Sequence, residues 1–237
     1  MKIKQKNTID MTHGTLWNKL LLFALPLAAS SILQQLFNSV DTAVVGRFAS
    51  SRALAAVGSN SSLIALMINL FIGISLGSNV IISRYIGQKA EEHVKAAIHT
   101  AIVVALCSGI FVLVLGQFIA RPVLTLMGTP KDVLDLAVLY LRIYFLGMPF
   151  IMLYDFSSSI LRSIGDSRRP LYALIAAGII NTGLNLILVI VFHLGVSGVA
   201  IATVVSNIVS SGILFYILLH EPVSYTHLRA HETLMNL

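Results

Sequence analysis

Six long apolar runs, joined by short polar connections, leave this chain few folds to choose from. They cover about Leu20–Val45, Ser61–Ile82, Ala96–Ile119, Val133–Ile160, Leu171–Phe192 and Val196–Leu219. Each is long enough to cross a hydrocarbon layer about 30 Å thick as a helix, which takes about 20 residues. Only helices and closed barrels satisfy the backbone N–H and C=O groups in lipid, and the two-residue alternation of a barrel strand is absent. The expectation is an all-α polytopic membrane protein with six transmembrane helices. Composition bears on one further point. Charged residues make up 11% of the chain and mean hydropathy is +0.88, whereas soluble domains carry about 25% charged residues.

The formal net charge of +6 does not point to nucleic acid, because the basic residues sit at the ends of the apolar runs. Lys2, Lys4, Lys6 and Lys19 precede the first run. Arg84, Lys89 and Lys95 flank the second connection, and Arg162, Arg168 and Arg169 the fourth. The opposite side has fewer: Arg47, Arg52, Arg121, Lys131 and Arg142. The positive-inside rule then places both ends in the cytoplasm of a cell inner (plasma) membrane protein. The start MKIKQK, followed by an apolar run and Ala28-Ala29-Ser30, is also compatible with a secretory signal. The apolar character continues past these small residues to Val45, which favours an uncleaved first span. Residues 1–19 are thus expected as a cytoplasmic segment, 20–219 as a six-helix transmembrane unit, and 220–237 as a polar tail. Cys107 is the single cysteine, so no disulfide framework exists.

Asp41 is the first functional candidate. A lone carboxylate near the centre of a span costs about 2.5–3.5 kcal/mol on insertion scales, so it needs a partner, a cation or a water-filled cavity. Gln34, Asn38 and Asp41 are spaced i, i+4, i+7 and share one face of the first helix. Asn181 and Asn185 form an i, i+4 stripe in the fifth span, and Thr203 and Asn207 another in the sixth. For the amides and the threonine, hydrogen bonding between helices is an equally good reading, at about 0.6 kcal/mol each. For Asp41 it is weaker, since no basic residue lies mid-span to neutralise it. A proton or a small cation is the simplest partner.

Asp155, in the fourth span, reads first as an interfacial acid paired with Arg162 and second as another protonatable group. Pro26 and Pro149 each remove a helix hydrogen bond and are expected to kink the first and fourth spans. Gly73 and Gly77 form a small-xxx-small pair suited to close helix packing. In LRSIGDSRRP, Gly165-Asp166-Ser167 signals a turn and Pro170 the start of the next helix. The arginines there touch anionic lipid headgroups or only fix topology. No Walker motif, nucleophile elbow, HExxH or CxxC is present. The expectation is therefore no enzyme, no catalytic residue, no metal site and no cofactor. Any transport would be driven by an ion gradient or a partner.

The run PLAASSILQQLFNSVDTAVVGRF, followed by ALAAVGSNSSL, resembles the opening of multidrug and toxic compound extrusion (MATE) transporters. GISLGSNVIISRYIGQ, GMPF, ILRSIGDSRRPLY, GIINTGLNLILV and GVSGVAIATVVSN follow in the family's order, so the resemblance covers about residues 10–220. It implies one six-helix lobe of a twelve-helix fold that exchanges protons or sodium for small organic, often cationic, drugs. It further implies cation coupling at Asp41, with Asn181 and Thr203 lining the same cavity and Tyr140 a further lining position. Asn185 departs from the pattern, since many relatives carry Asp there. An amide can offer its carbonyl to sodium but cannot carry a proton.

The expected function is a cation-coupled multidrug efflux antiporter working by alternating access, with Pro26 as a hinge in the first helix. Asp41, Asn181, Asn185 and Thr203 would bind the proton or sodium ion, and Gln34, Asn38 and Tyr140 would line the cavity. Expected partners are the organic substrate, membrane lipid, and a C-terminal lobe or a second copy, without nucleic acid. A lipid-linked saccharide flippase of the same superfamily is one alternative and calls for cationic residues in the cavity. A non-transporting membrane receptor or assembly subunit is the other. The tail EPVSYTHLRAHETLMNL matches nothing in the family and resembles translated sequencing-adaptor sequence. An artefactual or disordered end is expected there.

Overall fold

The computed structural model describes residues 16–220. The expectations for Lys2, Lys4, Lys6 and the tail beyond His220 lie outside the described residues. The helices are α1 (Leu16–Phe48), α2 (Ser51–Gly87), α3 (Glu91–Leu126), α4 (Lys131–Leu146), α5 (Met148–Ser163), α6 (Arg168–Leu186) and α7 (Val196–His220). A π-turn, Ile187–Val191, extends α6. Five of these stretches are long and apolar enough to cross a membrane by themselves, and α4 with α5 makes a sixth, bent by 48°. All six predicted spans are thus present as helix.

The bend follows from the local sequence. Pro149 has no N–H to donate, so it sits in the first turn of α5 and not inside a continuous helix. Gly147 closes α4 with a tight bond from its N–H to Tyr144 O at 2.9 Å, and its own carbonyl accepts from Phe150 and Ile151. The expected kink at Pro149 therefore appears as a break at Gly147. Pro26 has a different outcome: α1 stays helical through it, and Ser30 Oγ donates to Pro26 O at 2.8 Å.

Side chains secure the starts of α2 and α6. Ser50 Oγ accepts from Ala53 N at 3.2 Å and opens α2. Asp166 Oδ1 accepts from Arg168 N and Arg169 N at 3.1 Å each, and Oδ2 pairs with Arg169 Nε at 3.1 Å. This carboxylate satisfies orphan donors at the head of α6, where the helix dipole also favours negative charge. The turn predicted at Gly165-Asp166-Ser167 is present, with Gly165 at φ +84°.

α5 is the central element. It packs against α2, α3 and α7 and buries Met152, Phe156, Ile160 and Leu161. α1 is peripheral: it rests chiefly on α6 and leaves Leu25, Ile32 and Leu36 exposed. Two glycines permit close approach. A Cβ at Gly109 of α3 would lie 2.5 Å from the Pro149 Cα of α5, and one at Gly178 of α6 would lie 1.8 Å from the Phe37 ring of α1. Gly73 and Gly77 do not behave as predicted, because a Cβ at either would meet nothing within 4 Å. They lie on an exposed face of α2, away from the other helices of this unit.

Two amides, Asn60 buried and Asn79 half-buried, tie helices together. Asn60 Nδ2 donates to Ala137 O at 3.0 Å, joining α2 to α4. Asn79 Nδ2 donates to Ser159 O at 2.9 Å, joining α2 to α5.

Candidate functional site

The polar stripes predicted on three helices meet at one point. Asp41 of α1 is 8% exposed and faces α6 and α7. Its Oδ1 accepts a short hydrogen bond from Asn185 Nδ2. The same amide nitrogen also donates to Asn181 Oδ1 at 3.1 Å. Asn181 Nδ2 reaches Thr203 Oγ1 at 3.5 Å. The single hydroxyl hydrogen of Thr203 lies within reach of both Asp41 Oδ2, at 3.4 Å, and Val199 O, at 3.0 Å.

Helical spacing produces this arrangement. Asn181 and Asn185 are one turn apart on α6, so both amides look toward the α1 face that carries Asp41. Asn185 is fully buried, and its Oδ1 has no hydrogen-bond partner. An orphaned buried acceptor is costly, at about 1–3 kcal/mol. Four side chains thus meet at one locus: the Asp41 carboxylate, the Asn181 carbonyl, the Thr203 hydroxyl and, as a donor, the Asn185 amide nitrogen. That donor set is hard and oxygen-rich, suited to a small cation or a proton.

Below this cluster a cavity of about 190 Å³ opens between the helices. Gln34, Phe37, Asn38 and Asp41 of α1 line one wall, and Asn181 of α6 and Thr203, Ser206, Asn207 and Ser210 of α7 line another. Tyr144 of α4 and Ile151, Tyr154 and Asp155 of α5 face them. No lysine, arginine or histidine is among the lining residues.

Most of the predicted site residues are therefore gathered here. Gln34 and Asn38 line the cavity, as expected for a polar face of the first helix. Asn185 stands behind Asp41 and does not itself line the cavity. Tyr140 is buried outside the lining and stacks on Tyr144 with ring centroids 6.2 Å apart, so Tyr144 presents the aromatic surface. Pro26 lies about four turns from Asp41 on the same helix and takes no part in the cluster.

Asp155 departs most from its sequence reading. It is not paired with Arg162: Asp155 Oδ2 and Arg162 Nε are each buried without a hydrogen-bond partner. It lines the cavity that Asp41 heads. The signal that finds it is the one that singled out Asp41, an acid inside an apolar span; the arginine seven residues on drew the reading elsewhere. Tyr154 was also missed, and its OH donates to Pro170 O at 3.2 Å.

Known proteins share the fold that carries this cavity. Residues 26–187 match the MatE family model. The chain is 37% identical over 205 residues to the probable multidrug resistance protein YoeA of Bacillus subtilis (strain 168), covering 85% of this chain and 44% of that protein. It is 26% identical to the multidrug export protein MepA of Staphylococcus saprophyticus, covering 91% and 48% respectively. Among solved structures, a MATE crystal structure in the bent conformation superposes with a TM-score of 0.84 at 25% identity, covering 90% of this chain and 47% of the other. An outward-facing multidrug resistance MATE transporter gives a TM-score of 0.81 at 25% identity, covering 87% and 46%. The chain spans about half the length of the curated relatives it matches.

Proposed function

The chain belongs to the MatE family, and from that premise we propose that it forms the N-terminal six-helix lobe of a cation-coupled multidrug efflux antiporter. Its substrates are small organic, drug-like molecules that occupy the cavity between α1, α4, α5, α6 and α7. A proton or sodium ion binds at Asp41, assisted by the Asn181 and Thr203 oxygens, while Asn185 holds the carboxylate through its amide N–H. The observation that carries this reading is the convergence of those four side chains on one locus at the head of a cavity without basic residues.

The mechanism is alternating access. Cation binding at Asp41 exchanges its hydrogen bonds from α6 and α7 for contacts to the ion. That loosens α1, the helix least embedded in the bundle. Motion of α1 near Pro26, where one helix hydrogen bond is missing, then changes the cavity that Gln34, Phe37 and Asn38 line. The second half of the path comes from a C-terminal lobe or a second copy. The lobe sits in the cell membrane with its N-terminus in the cytoplasm, as the basic residues suggest.

A lipid-linked saccharide flippase is less well supported, because its anionic cargo calls for basic side chains that the cavity lining lacks. The test is drug efflux from proteoliposomes under an imposed proton or sodium gradient, with the lobe joined to its second six-helix unit. Asp41→Asn is expected to abolish the gradient dependence while leaving the protein folded. Unimpaired gradient-driven efflux by Asp41→Asn would sink the coupling role.

A further inference from the structure

Two carboxylates line the cavity, and their surroundings differ. Asp41 Oδ1 is engaged by Asn185 Nδ2 and its Oδ2 lies within reach of Thr203 Oγ1, so its charge is already spread into α6 and α7. Asp155 has no such partners, and its Oδ2 is buried with nothing bonded to it. The two acids sit on helices that do not pack directly, α1 and α5, with the cavity between them. The charged and titratable groups around Asp155 are Arg162, two turns along α5 and not in an ion pair with it, and the phenols Tyr144 and Tyr154. Phe37, Tyr144 and Tyr154 add aromatic surface to the same cavity.

We propose that Asp155 is a substrate-recognition residue that holds the positively charged group of an amphipathic organic cation, separately from the coupling site at Asp41. This rests on the efflux reading above and deepens it by naming what the cavity selects. A carboxylate that makes no salt bridge, with its nearest basic residue Arg162 two turns along the helix and aromatic rings across the cavity, favours a soft, weakly hydrated cation over a neutral molecule of equal size. Engagement of Asp41 by α6 and α7 leaves Asp155 as the acid free to meet the substrate. Loading the cavity therefore does not require displacing the coupling ion from its own ligands.

The experiment compares binding of tetraphenylphosphonium, whose charge is fixed, with binding of the neutral triphenylphosphine oxide, using the chain in lipid nanodiscs and empty nanodiscs as the reference. Wild type is expected to prefer the cation. Asp155→Asn should weaken phosphonium binding by about tenfold and leave the phosphine oxide unchanged, whereas Asp155→Glu should keep the preference. The proposal is overturned if Asp155→Asn binds both probes as wild type does, which would mean Arg162 claims the carboxylate. It is equally overturned if Asp155→Asn and Asp155→Glu lose both probes together, which marks a structural role, or if wild type binds neither. Loss of the coupling role at Asp41 would appear only in the gradient-driven efflux assay, so the two failures are distinguishable.

Discussion

Asn185 donates to a carboxylate that is almost wholly removed from water, and that single bond says much about how Asp41 is tolerated. A buried ionised group needs hydrogen bonds to offset its lost hydration, and bonds to charged groups contribute about 1.5–3 kcal/mol each. Asn185→Leu keeps similar bulk but leaves Asp41 Oδ1 without its donor. It is expected to lower stability by about 1–3 kcal/mol, read as an earlier thermal unfolding transition of the purified protein. An unchanged transition would show that water replaces the amide. The role of Asp41 itself was legible because an acid in an apolar run is rare and expensive. Its partners on α6 were legible as a stripe, though not which amide touches which oxygen. Asp155 carried the same compositional signal, and its environment became clear only once α5 was placed beside the cavity.

Between helices, the decisive contacts are made by the smallest residues. Gly109 lets α3 approach the backbone of α5 at Pro149, just beyond the break that ends α4. Gly109→Ala would put a methyl group 2.5 Å from a backbone atom that has little room to yield. Overpacking of this kind costs about 1–3 kcal/mol, and the variant is expected to show that loss in thermal unfolding, whereas Gly73→Ala on the open face of α2 should be neutral within about 0.5 kcal/mol. The contrast tests whether the close approach at Gly109 is real. Gly73 and Gly77 had the better sequence credentials for packing, with the small-xxx-small spacing, yet they face away from the bundle. Spacing identifies a face, not what lies opposite it. The break at Gly147 was readable because its cause is local: a proline without an N–H beside a glycine. Pro26 has the same chemistry, and α1 remains helical through it.

At the scale of the whole molecule, six spans and the scatter of basic residues imply a definite orientation. With Cys107 replaced by serine, Lys131→Cys at the start of α4 is expected to react with a membrane-impermeant maleimide in intact cells, and Gln88→Cys just past the end of α2 only after permeabilisation. The reverse pattern would invert the assignment. The number of spans, most of their limits to within about two turns (α2 begins ten residues before its expected start), and the presence of acids inside two of them were determined by the sequence alone. Each depends on local hydropathy, and a bilayer of given thickness reads hydropathy one segment at a time. What only the tertiary structure decided is rotational: which stripe of each helix turns toward which neighbour. That choice put Asp155 in the cavity without a salt bridge to Arg162, brought Tyr144 and not Tyr140 to the lining, and turned Gly73 and Gly77 outward. Helix rotation is set by contacts between residues far apart in the chain, such as Gly109 with Pro149 or Asp41 with Asn185, and no local pattern encodes those pairings.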